Sequence, residues 1–215
     1  MIVKKLKASF FVLILLNLLV GCKGKVATVN DLKSWINNPK QGLVASKSVN
    51  GVKVNIHYLP PQYNALKEME STGLTGKASY DSLLLQQQKV ATFLMVLAPD
   101  EDKGTKGDIM YKDIQNFKQY VERSLTLNFD LENQIELKTD KGEYKASLSS
   151  LENTYSLTND RKINFVFTPT TKEDELTLAK EYDFIYNDES FGLGTLHFYF
   201  NKKEIEASLP EITVQ

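Results

Sequence analysis

Asn50-Gly51 stands between two runs in which apolar and polar residues alternate, and no other feature restricts the fold of this chain so tightly. After the pair, Val52, Val54, Ile56 and Tyr58 alternate with Lys53, Asn55 and His57. Before it, Leu43, Ala45 and Val49 form a less regular row that Lys47 interrupts. A two-residue loop with positive φ at both positions matches the twist of antiparallel strands, and Asn-Gly adopts it at low cost. The spacing therefore predicts a β-hairpin over residues 43–58.

Short helices are expected on either side. Asn30 or Asp31 is placed to cap one that carries Leu32, Trp35 and Ile36 and stops at Pro39 and Gly42. A second is expected from Gln62 to Glu70 after Pro60-Pro61, and a third from Ser79 and Asp81 through Leu83 to Gln88. Val90 to Leu97 reads as a buried strand closed by Pro99, followed by an exposed acidic loop from Asp100 to Gly107. From Asp108 onward, Ile109, Ile114, Phe117, Tyr120, Val121 and Leu125 recur at three- and four-residue steps, which predicts an amphipathic helix to about Ser124.

Strand patterns dominate the rest. Leu125, Leu127 and Phe129 alternate, then Ile135 and Leu137, then Tyr144, Ala146 and Leu148 after a turn at Asp140, Lys141 and Gly142. Ile163, Phe165 and Phe167 form a run before Pro169, and Leu176 and Leu178 form a short one. Phe184 to Tyr186 and Leu196, Phe198 and Phe200 flank a loop with Asp188, Gly192 and Gly194. The pattern predicts an α+β, strand-rich fold: mixed helix and hairpin first, then an antiparallel, sandwich-like part. Residues 30–215 are read as one α+β domain, and the change of style near Asp108 leaves two lobes, 30–107 and 108–215, as the alternative.

The N-terminus follows different rules. Lys4, Lys5 and Lys7 precede an apolar run from Ala8 to Val20, too short for the roughly 20 residues of a spanning helix. The run ends in Leu19-Val20-Gly21-Cys22, which resembles the lipobox of bacterial lipoproteins. That resemblance implies a signal peptide over 1–21, cleavage before Cys22, and acylation of Cys22 by diacylglyceryl and fatty acyl chains such as palmitate. The chain then meets the lipid bilayer through Cys22, and residues 22–29 form a short tether. Cys22 is the single cysteine, so lipidation gives it a purpose that a disulfide cannot. Lys23-Gly24-Lys25 is neither an aspartate that retains lipoproteins at the inner membrane of enterobacteria nor the acidic run of surface-exported ones. For a Gram-negative source, the expected place is the outer membrane, facing the periplasm. In its lysine-rich signal, lipobox and domain rich in tyrosine, asparagine and lysine, the chain resembles lipoproteins of Bacteroidota over its whole length. That likeness transfers no functional residue.

Removal of residues 1–21 takes three of the 26 basic residues, leaving 23 against 27 acidic ones and a net charge of −4. A mildly acidic domain lacks the basic field that nucleic acid requires, so no nucleic-acid partner is expected. Catalytic signatures are sparse. His57 and His197 both sit in expected strands, where a polar-row histidine explains them, and no H-E-x-x-H or G-x-S-x-G is present. Gly192-Leu193-Gly194 lies between two strands, where a hairpin turn accounts for it better than a phosphate loop. Asp100, Glu101, Asp102 and Asp108 lack EF-hand spacing and read as a solvated loop, with calcium as the alternative; Glu173, Asp174 and Glu175 read as surface charge.

Aromatic residues are plentiful, with 10 tyrosines and 11 phenylalanines. Tyr58, Tyr63, Tyr111, Tyr120, Tyr182, Tyr186 and Tyr199 are candidates for a glycan or protein groove, although most are expected in the core, and Trp35 is read as a helix-to-core anchor. The expectation is a membrane-anchored lipoprotein with no catalytic, cofactor or metal residues. It would be a non-catalytic envelope binding or scaffolding protein with an envelope protein or glycan partner. The alternatives are a glycan- or peptidoglycan-binding lipoprotein and a carboxylate-dependent hydrolase.

Overall fold

The computed structural model describes residues 25–26, 28–153, 157–171 and 176–214. Residues 1–21, Cys22 and the triplet Glu173, Asp174 and Glu175 lie outside the described residues. In chain order the elements are β1 (Lys25–Val26), α1 (Val29–Ile36), β2 (Val44–Val49), β3 (Val52–Leu59), α2 (Pro61–Thr72), α3 (Lys77–Gln87) and β4 (Ala91–Pro99). There follow α4 (Phe117–Leu125), β5 (Ile135–Thr139), β6 (Glu143–Lys145), β7 (Leu148–Leu151), β8 (Arg161–Phe167), β9 (Glu181–Asp188), β10 (Gly194–Asn201), α5 (Lys202–Ser208) and β11 (Glu211–Ile212). The fold is α+β and strand-rich. Two antiparallel sheets carry it, one of order β2-β3-β4-β8-β7 and one of order β10-β9-β5-β6, while β1 and β11 pair in parallel.

The hairpin forms where its turn chemistry places it. Asn50 and Gly51 have φ of 49° and 73°, and Val49 faces Val52 across the turn. A Cβ at position 51 would lie 2.2 Å from Thr105 Oγ1, so both conformation and space call for glycine there. Lys47 belongs to the inward row of an edge strand, and its amine reaches out over the Phe198 ring at 5.9 Å.

Alternation then builds the core. Val54, Ile56 and Tyr58 of β3, Phe93, Met95 and Leu97 of β4, and Ile163, Phe165 and Phe167 of β8 are buried on one face of the five-stranded sheet. Tyr182, Phe184, Leu196, Phe198 and Phe200 answer from the four-stranded sheet. Phe93 sits where the two meet, with the rings of Tyr58, Phe167, Tyr182, Phe184 and Phe200 at 5.3–5.8 Å. The five-stranded sheet takes β2, β3 and β4 from before Asp108 and β7 and β8 from after it. Helices α2 and α3 fill the connection between the neighbouring strands β3 and β4, and they bury Ala65, Leu66, Met69, Tyr80 and Leu83. Among the described residues no helix is long and apolar enough to cross a membrane.

Several local expectations are corrected. Thr28, not Asn30 or Asp31, caps α1, and its hydroxyl accepts from the Asp31 amide. Within the stretch 22–29, Lys25–Val26 pairs with Glu211–Ile212. The helix expected from Asp108 to Ser124 is a 3₁₀ turn at Ile109–Tyr111 followed by α4, because Asp113 takes a φ of 58° and Asn116 starts a new helix. Leu125, Leu127 and Phe129 are not a strand: the chain runs on from α4 as a π turn over Thr126–Asp130, and of the three only Leu127 is buried. Leu176 and Leu178 lie in a 3₁₀ turn. Tyr144, Ala146 and Leu148 are not one strand, since the chain changes sheets between β6 and β7. Ser147 marks the crossing, its amide donating to Val166 O at 2.8 Å.

Candidate functional site

The outward row of the four-stranded sheet is fixed by the same alternation that buries its inward row. Register places Tyr199, Asp183, Lys138 and Glu143 side by side across β10, β9, β5 and β6. The next row holds His197, Ile185, Glu136 and Lys145. His197 Nδ1 lies 2.8 Å from Asp183 Oδ2, and the Tyr199 ring stacks on the imidazole with centroids 6.1 Å apart and planes 13° apart. Tyr199 is 71% exposed and presents an open aromatic face.

Beside that stack runs a groove of about 400 Å³ lined by Lys138, Asp140, Tyr182, Asp183, Tyr199 and Asn201. Asp183 Oδ1 is buried and has no hydrogen-bond partner among the described residues. An unpartnered buried acceptor costs about 1–3 kcal/mol, a penalty that the sheet carries at this position. Around it the charges are paired. Lys138 lies 2.9 Å from Glu143, which raises the lysine pKa and lowers that of the carboxyl, and the Lys180 amide holds the Asp140 carboxyl below its ordinary value. The arrangement offers a flat ring beside a groove in which Asp140, Glu181 and Asp183 outnumber Lys138, itself paired with Glu143.

The tyrosines divide sharply. Tyr58, Tyr63, Tyr182 and Tyr186 are buried; Tyr111 and Tyr199 are exposed, and Tyr120 is half-buried against Tyr111 with centroids 5.2 Å apart. Trp35 packs partly buried against the core. His57 faces outward from β3, away from His197 and on the other sheet, and its pKa is lowered first by burial and then by the Lys162 charge.

The acidic loop is not uniformly solvated. Asp100 is 2% exposed and accepts from the Ser48 hydroxyl at 2.5 Å, whereas Asp108 pairs with Arg161 at 2.6 Å and caps the turn at Met110. Removing one partner of that half-sequestered ion pair would cost about 3 kcal/mol by stranding the other. Among the described residues no group of three or more His, Cys, Asp or Glu is placed to hold a metal ion. The Gly192-Leu193-Gly194 segment is a hairpin turn between β9 and β10, and Asp188 accepts from the amides of Ser190, Phe191 and Leu193.

Asp183 and Lys138 did not stand out in the sequence, although one signal was present: a carboxylate set between the inward-facing Tyr182 and Phe184 must point outward. What it meets there depends on β5 and β10, strands distant in sequence. Neither known protein families, curated proteins nor solved structures match this chain.

Proposed function

We propose that this chain is a bacterial lipoprotein, acylated on Cys22 and held at a membrane surface, whose folded part is a non-catalytic binding or scaffolding module of the cell envelope. The observation that carries the reading is Leu19-Val20-Gly21-Cys22 directly behind a lysine-led apolar run. Each buried methylene contributes about 0.8 kcal/mol, so two or three acyl chains on one sulfur hold a domain durably where one would not. The first described element begins at Lys25, three residues on, and three extended residues reach only about 10 Å. A domain tethered so closely works beside the headgroups, facing the periplasm if the anchor sits in an outer membrane.

The test is fractionation of cells expressing the full chain, with mass spectrometry of the mature N-terminus. Membrane association and an acylated Cys22 are expected, and Cys22→Ser should move the protein to the soluble fraction. An unmodified thiol, or a Cys22→Ser chain that stays with membranes, would overturn the reading.

A second reading, that the ligand is a glycan such as peptidoglycan, is favoured by the Tyr199–His197 stack next to the unpartnered Asp183 oxygen. Titration with soluble muropeptides should saturate, and Tyr199→Ala should weaken binding about tenfold by removing the stacking face. Non-saturable binding, or a Tyr199→Ala chain that binds equally well, counts against it.

A further inference from the structure

A second cavity lies on the far sheet. It also measures about 400 Å³, and its walls come from α1, α2 and the outward face of the five-stranded sheet. Three lysines enter it from three separate elements: Lys33 from α1, Lys67 from α2 and Lys162 from β8. None of the three amines makes an ion pair or hydrogen bond among the described residues. Against them stands one lining carboxylate, Glu152, which accepts from the Asn164 amide at 3.2 Å. Neutral donors complete the wall: His57, Asn37 and Tyr63. Burial, then Glu152 and Glu70, raise the pKa of Tyr63 and keep its hydroxyl protonated.

Lys33 and Lys67 are exposed and Lys162 is half-buried, so three ammonium groups facing one engaged carboxylate leave an excess of positive charge in a concave space that solvent still reaches. We propose that this cavity binds a phosphate-class oxyanion. A tetrahedral phosphate offsets the excess, fully as a dianion and by half as the singly charged diester of a lipid headgroup, and cations arriving from three elements suit its several oxygens, since lysine acts on phosphate as a point charge without the planar fork of arginine. Ile36, Leu59, Leu94 and Val96 line the same cavity and offer apolar contact to whatever carries the phosphate. The site does not depend on acylation of Cys22. The phosphate comes either from a soluble compound or from a lipid headgroup, and the short reach from Cys22 to α1 makes the second source accessible to an anchored domain.

His57 reports on occupancy. Its proton is disfavoured first by burial and then by the Lys162 charge, so an anion that neutralises Lys162 should raise its titration midpoint. The chain has two histidines, and His197, on the other sheet, serves as the internal control. The experiment is a proton NMR titration of both imidazoles in the full chain, with inorganic phosphate, with potassium chloride at matched ionic strength, and with phosphatidylcholine vesicles with and without phosphatidylglycerol. The expected result is a saturable upward shift of the His57 midpoint with phosphate or with phosphatidylglycerol vesicles, but not with chloride, and a static His197. A response to phosphate assigns a soluble source, and a response to phosphatidylglycerol vesicles alone assigns a headgroup. Lys162→Met should raise the His57 midpoint without ligand and blunt the response; Lys33→Met and Lys67→Met should weaken binding about tenfold each. No shift with either phosphate source, equal shifts at both histidines, or undiminished binding in the lysine variants would overturn the proposal. The comparison of the two histidines needs no variant, so misfolding of a substituted chain does not remove the test. Its failure would leave the membrane fractionation result untouched.

Discussion

His57 is a half-buried imidazole facing a lysine, and that environment has a consequence for stability with a definite sign. Burial and the Lys162 charge lower its pKa below 6.5, so across the window beneath that value the unfolded chain binds more protons than the folded one. The contribution is fully present above 6.5 and is lost as pH falls through the folded value. His57→Gln removes the titration. The stability difference between wild type and His57→Gln, measured by urea denaturation, should be flat above about pH 7 and turn against the wild type as pH falls toward about pH 5. Parallel profiles across that range would contradict it. The strand position and outward direction of His57 were legible from alternation alone. Its neighbours were not, because Lys33, Lys67 and Lys162 come from three elements, and a lysine on a polar row reads the same whether it meets water or a cavity.

Elements whose signal is local were legible; those set by distant contacts were not. The hairpin about Asn50-Gly51 needs two positive φ angles that the dipeptide supplies itself. The segment after Asp108 shows the opposite case. Its apolar spacing suits one long helix, yet Arg123 donates to the carbonyls of Met110 and Lys112 at 3.1 and 2.7 Å and to Ser190 O at 2.9 Å, folding α4 back against the 3₁₀ turn and the β9–β10 loop. No periodicity announces such a tie. The break is reinforced at Asn116, whose side chain accepts from the Gln119 amide at 3.1 Å while Gln119 Oε1 accepts from the Gln115 amide at 2.8 Å. That exchange is a capping arrangement, so Asn116→Ala should cost about 1 kcal/mol. For a chain of this size the loss corresponds to about 2–4 °C in the unfolding midpoint, readable by circular dichroism, and an unchanged midpoint would show that the cap contributes nothing.

For the whole molecule, the count of short alternating runs was enough to expect a sandwich, but not to assign strands to sheets. Tyr144, Ala146 and Leu148 keep their alternation while the chain passes from one sheet to the other, yet Tyr144 is buried and Leu148 is exposed beside Val166, so the period does not mark where the inward row changes. Pairing of the ends was equally hidden, since two residues carry no pattern. Yet β1 and β11 join Lys25 to Glu211 and Val26 to Ile212, so the segment nearest Cys22 is fastened to the C-terminal end of the chain. For a domain anchored at Cys22 as proposed, this pair sets how closely it is held. Deleting residues 211–215 removes β11 but leaves the buried Pro210 and both large sheets with every strand. Ile212 and Val214 pack only partly buried against the core, so the sandwich should stay folded with its midpoint lowered by a few degrees. The Lys25–Val26 bond, no longer paired, should then be cut by trypsin much faster than in the full chain, as local opening governs cleavage of folded proteins. Limited proteolysis followed by mass spectrometry reads the rate at that bond. Equal rates in the two chains would mean that the parallel pair does not clamp the N-terminal segment, and that the reach from Cys22 is set by α1 instead.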